Sequence, residues 1–143
     1  MWKRTNQLRW ATSVLVLVTI LGTIQWYAWG DATSPAITIV SMPTDDPGPT
    51  MASNDIKGTV SGVKPDDYKV VIYAFGDVWY VQPYAASPLT DISSDNTWDT
   101  QTHGGTQFAA LLVKPSYQPP ATLASLPKVG GDVVAIDKKT PQK

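Results

Sequence analysis

Three carboxylates, Asp91, Asp95 and Asp99, lie close together just ahead of the single histidine, His103. Two carboxyls held about 5 to 10 Å apart can work as the acid and base of a glycosidase. Asp91, Asp95, Asn96 and Asp99 also supply the several oxygens that calcium prefers. These residues lack the Asp-x-Asp-x-Asp-Gly spacing of calcium loops, however, and Asp and Asn are turn residues, so the expectation is a turn. His103 sits beside Gly104 and Gly105 without the partners a triad requires, and reads as a loop histidine.

Other catalytic signatures are missing. There is no Gly-rich phosphate loop, no Gly-x-Ser-x-Gly elbow and no second histidine for zinc. With no cysteine in the chain, thiolate catalysis, zinc–thiolate sites and disulfides are excluded. The expectation is a protein that is not an enzyme and carries neither cofactor nor metal.

The aromatics are the better lead. Trp79, Tyr84, Trp98 and Tyr117 are the candidate carbohydrate-binding residues, because an aromatic face stacks on the C–H face of a sugar while neighbouring Asp or Asn binds hydroxyls. For Trp79 and Trp98 the competing reading is core packing. Tyr84 and Tyr117 fall in loops, where exposure is expected.

These residues need a scaffold. From Asp31 onward eight lysines face twelve aspartates with no glutamate, and twelve prolines and ten glycines punctuate the chain. That composition favours turns over helices, and its acidity argues against a nucleic-acid partner. The densest apolar stretch, Tyr68 to Tyr84, reads as two strands around a turn at Phe75-Gly76-Asp77-Val78. Both faces of the first strand are apolar, which places it centrally in a sandwich. Further strands are expected at Ala36–Met42, Asp55–Gly62, either side of a Ser94-Asp95-Asn96 hairpin turn, at Gln107–Lys114 and at Gly131–Lys138. The Pro-rich KPSYQPPATLASLPK is long enough for a functional or covering loop. About seven strands predict an all-β sandwich, immunoglobulin-like or jelly-roll-like, over residues 36–138, with 139–143 as a disordered tail.

Residues 10–29, WATSVLVLVTILGTIQWYAW, are uncharged and long enough to cross roughly 30 Å of hydrocarbon as a single transmembrane helix. Trp10, Trp26, Tyr27 and Trp29 bracket the run like interfacial belts. Lys3, Arg4 and Arg9 all precede it, so a basic tail over 1–9 stays cytoplasmic and a spacer at 30–35 leads to the exported domain. Thr12, Val16, Thr19 and Thr23 form a candidate helix-packing stripe; the alternative is that each hydroxyl bonds its own helix backbone. A cleaved signal peptide ending near Ala28-Trp29-Gly30 is the competing reading of this segment.

The run from Ile56 to Pro115, continuing through YQPP to GGDVVAI, carries G-x-V-x-G-V, Y-K-V, a Trp-containing strand, D-x-x-W and A-x-L-V-x-P-x-Y-x-P-P. It resembles small bacterial immunoglobulin-like β-sandwich modules that accompany glycoside hydrolase domains in exported proteins. The resemblance covers about residues 55–137, implies a non-catalytic accessory unit, and does not include the apolar N-terminal segment. Together these readings predict a single-pass protein of the bacterial inner membrane, its C-terminal domain periplasmic or extracellular. Its expected partners are the bilayer, membrane protein subunits and polysaccharide. It would act as an accessory subunit of an envelope complex or bind carbohydrate; the alternative is a secreted carbohydrate-binding module released by signal-peptide cleavage.

Overall fold

A computed structural model of the chain describes residues 33–44 and 52–142. The expected transmembrane helix, basic tail and Thr12–Thr23 stripe lie outside the described residues. Within them, no helix is long and apolar enough to cross a membrane.

The described part is all-β, with two antiparallel sheets. β1 (Ala36–Ser41), β2 (Asn54–Ser61) and β5 (Thr97–Thr102) form a three-stranded sheet in the order β1-β2-β5. β3 (Lys69–Phe75), β4 (Trp79–Gln82), β6 (Gln107–Val113), β7 (Thr122–Leu123) and β8 (Val133–Lys139) form a five-stranded sheet in the order β7-β4-β3-β6-β8. The hairpin expected in the densest apolar stretch is β3–β4, paired from Ile72↔Gln82 to Phe75↔Trp79.

Alternation decides what each strand buries. In β2, Ile56, Gly58 and Val60 face inward while Lys57, Thr59 and Ser61 are exposed. Ile37, Ile39, Ile56, Val60 and Trp98 of the smaller sheet meet Val70, Ile72, Ala74, Phe108, Ala110, Leu112 and Ala135 of the larger one. Trp98 lies opposite Gly58 in the β2–β5 register. A Cβ on Gly58 would stand 2.5 Å from the indole Cζ2 and 1.9 Å from Thr38 O, so this strand glycine is where the backbones and the indole approach most closely.

The other face of the larger sheet is also dry. Val71, Tyr73, Trp79, Val81, Ala109, Leu111, Val113 and Val133 form a second core, with Tyr117, Leu123 and Leu126 packed on it. The Pro-rich segment is therefore a cover. It is pinned by Tyr73 Oη donating to Pro120 O at 2.9 Å, by Val81 N donating to Ala121 O at 3.0 Å and by the short β4–β7 pairing.

Two expectations change. Residues 91–93 form no strand: Asn96, with φ 64°, makes the expected turn but delivers β5 to β2, because Ile92 is drawn into the inter-sheet core. The C-terminal strand continues to Lys139, whose Nζ donates to Ile39 O at 2.6 Å, and Pro141 is buried.

Candidate functional site

The four candidate carbohydrate-binding residues do not share a face. Trp98 is 1% exposed between the sheets and Trp79 is 6% exposed beneath the Pro-rich cover, so neither indole offers a face to a sugar. Trp98 Nε1 is buried without an acceptor among the described residues. Tyr117 is half-buried on the second core, and burial raises its phenol pKa above the ordinary value. Tyr84 alone is well exposed, at 59%.

Tyr84 stands at the exit of β4, and the chain around it is firmly tied. Gln82, 5% exposed, places its Oε1 2.9 Å from both the backbone N and the Nδ1 of His103, while its Nε2 donates to Tyr80 O at 3.3 Å. Because that oxygen accepts from the His103 backbone, Nδ1 must also donate to it. In the neutral imidazole the proton therefore sits on Nδ1, and Nε2 is left as an acceptor. The His103 ring meets Tyr84 edge-on, with centroids 5.6 Å apart and planes at 69°, an arrangement favoured by the aromatic quadrupoles.

Tyr80, 42% exposed, lies on the Gln82 side of β4 by strand alternation. Its hydroxyl donates to Asp77 Oδ1 at 2.8 Å. That bond holds the Asp77 carboxyl below its usual range and the Tyr80 phenol above its own. Gln82, His103 and Tyr84 thus form one continuous set of side-chain contacts, joined to Tyr80 only through its backbone carbonyl, while the Tyr80 ring is exposed nearer the Asp77 turn. Tyr80 stands out in the sequence among the strand aromatics, with core packing as its competing reading, but is not one of the four candidates; Gln82 does not stand out. A Gln before Pro at a strand end carries no signal for a bond to a histidine 21 positions away.

The acidic cluster is used structurally. Asp91 pairs with Lys69. Asp95 accepts from Thr97 N at 3.1 Å and Thr97 Oγ1 at 2.6 Å, which lowers its pKa, chiefly through the hydroxyl. Asp99 lies on the exposed face of β5. Among the described residues no group of three His, Cys, Asp or Glu could hold a metal.

Compared with known families, characterised proteins and solved structures, the chain matches none.

Proposed function

We propose that this chain is a non-catalytic, membrane-anchored β-sandwich module that binds carbohydrate through the Tyr84 surface. The observation that carries the reading is Tyr84 itself: a largely exposed ring in T-shaped contact with an imidazole that a buried glutamine holds in place. Such a ring loses little freedom on binding, so stacking on a sugar face is favoured. His103 Nε2 offers an acceptor for a sugar hydroxyl, and Tyr80 with Asp77 adds a second ring and a carboxylate along the same strand.

The strand order supports the immunoglobulin-like reading. With β1, β2 and β5 taken as A, B and E, and β4, β3, β6 and β8 as C′, C, F and G, the two sheets follow the sandwich connectivity of that architecture, with β7 as an addition. The resemblance to glycoside-hydrolase accessory modules rests on the sequence motifs, and the fold supports it only as far as an all-β sandwich of two sheets. The anchor at 10–29 and the inner-membrane location remain part of the proposal on the strength of length, flanking charge and interfacial aromatics.

A second reading is an accessory subunit of an envelope complex, since exposed tyrosines on a rigid surface also suit protein interfaces. The apolar outer face of the hairpin is occupied by the Pro-rich cover and offers such a partner no surface. The test is retention of the detergent-solubilised full chain on insoluble polysaccharides. Loss in Tyr84→Ala with an unchanged melting curve supports carbohydrate binding. Unchanged retention, with co-purification of other membrane proteins in fixed ratio, favours the subunit reading.

A further inference from the structure

The sheet edges are covered unequally. β1 faces β8, where Ile39 N donates to Asp137 Oδ2 at 2.8 Å and Ile39 O accepts from Lys139 Nζ. On the opposite side of the larger sheet the edge is the two-residue β7, too short to template another strand. β5 differs from both.

Its register fixes which of its backbone groups point outward. Val60 N donates to Asn96 O at 2.9 Å, so Asn96 and Val60 form a hydrogen-bonded pair. By alternation Trp98, Thr100 and Thr102 bond to β2, while Thr97, Asp99, Gln101 and His103 turn their N–H and C=O away from it. Both ends of that outward row are occupied. Thr97 O accepts from Ser93 N at 2.8 Å, Thr97 N donates to Asp95 Oδ1, and His103 N donates to Gln82 Oε1. Between them, the N–H and C=O of Asp99 and Gln101 have no partner among the described residues. A depression of about 260 Å³, lined by Asp55, Lys57, Asp99, Thr100 and Gln101, borders this edge. Two donors and two acceptors in alternating order along an edge are the complement of an extended strand.

We infer that this strand is β5 of a second copy of the chain, antiparallel and centred on Thr100, so that two three-stranded sheets join into one of six strands. The sequence selects the occupant and the register. Centring on Thr100 sets Asp99 opposite Gln101 of the second copy and Gln101 opposite its Asp99. That register uses all four open groups and disturbs none already bonded. On the solvent face each carboxylate then lies beside a carboxamide that can donate to it, a favourable cross-strand pair. Centring on Asp99 would set like charges face to face, and centring on Gln101 would require the His103 N–H that Gln82 holds.

The chain has no cysteine, so a single introduced thiol can crosslink only between molecules. In the proposed register the two Thr100 residues form a non-hydrogen-bonded pair with Cα atoms about 4.5 Å apart, within disulfide range. Mild oxidation of full-length Thr100→Cys in membranes therefore yields a linked dimer, while Thr59→Cys, on the exposed face of β2, stays monomeric. Adding Gln101→Pro removes an outward N–H without removing a bond to β2, and abolishes the crosslink. Gln101→Asp, which opposes two carboxylates twice over, weakens dimerisation about tenfold or more, and Gln101→Lys strengthens it. Crosslinking at Thr100→Cys no greater than at Thr59→Cys overturns the inference. So does a crosslink that responds to neither charge change nor proline. Melting curves identify any variant that fails to fold, and the Asp and Lys substitutions, both at an exposed position, carry the test if the proline variant does.

Discussion

The two faces of the five-stranded sheet are equally dry but are covered by different means. Val70, Ile72, Phe108 and Leu112 pack against a second sheet, whose strands are long, regular and mutually hydrogen bonded. Val71, Tyr73, Leu111 and Val113 pack under an irregular Pro-rich segment held by two residues of strand and a few isolated hydrogen bonds. Burial alone does not distinguish these covers, because all eight residues are fully inaccessible. What differs is the backbone behind them: prolines limit the conformational freedom the segment loses on folding, which lets a strap with little secondary structure cover a sheet face.

The largest expected effects come from the two buried indoles, one on each face. Trp98→Ala and Trp79→Ala each remove about 3 to 5 kcal/mol of stability in urea unfolding. A Trp79 variant that loses less than about half as much as the Trp98 variant would show that the strap collapses onto the cavity as the second sheet does not. Leu112→Ala and Leu111→Ala sharpen the same contrast, since these neighbours on β6 point to opposite faces, and each costs about 2 to 5 kcal/mol. Equal losses mean that the strap is as firm as the sheet.

A smaller effect comes from Tyr73→Phe, which removes the hydroxyl bonded to Pro120 O and costs about 1 kcal/mol at neutral pH. Burial is the main cause of the raised Tyr73 pKa, followed by the nearby Tyr117. A raised phenol pKa leaves stability intact below the ordinary value of 10.0 and lowers it as pH rises above that value toward the folded one. Denaturation followed above pH 10.0 therefore shows a decline that is shallower in Tyr73→Phe. An equally steep decline would place the alkaline sensitivity elsewhere. The smallest effect lies at the exposed turn. Asp77 titrates below its ordinary 3.8, and Tyr80→Phe moves it back upward in an NMR titration, with no measurable change in melting temperature.

Much of this architecture was legible in the sequence. β3 is apolar on successive residues, which is the pattern of a strand buried on both faces, and it occupies the middle of the larger sheet. β2 alternates cleanly, and it has one wet face. The turn was legible at Asp95-Asn96 because only a few residue types accept a positive φ readily, but the destination of the strand after it was not, since pairing with β2 depends on contacts some 40 residues away. The same reason hid the site. Trp79 and Tyr80 point to opposite faces by alternation, yet which face is covered is decided by residues 114–131. The Gln82–His103 bond, which holds the imidazole in contact with the one well-exposed candidate ring, joins two segments that no local pattern connects.

Retention of the full chain and its Tyr84→Ala variant on a panel of insoluble polysaccharides bears most directly on the proposed role of the exposed ring. The account predicts that the parent is held by at least one polysaccharide, and that the variant elutes with the void while melting at the same temperature. Equal retention of both proteins, or retention of neither, would contradict it.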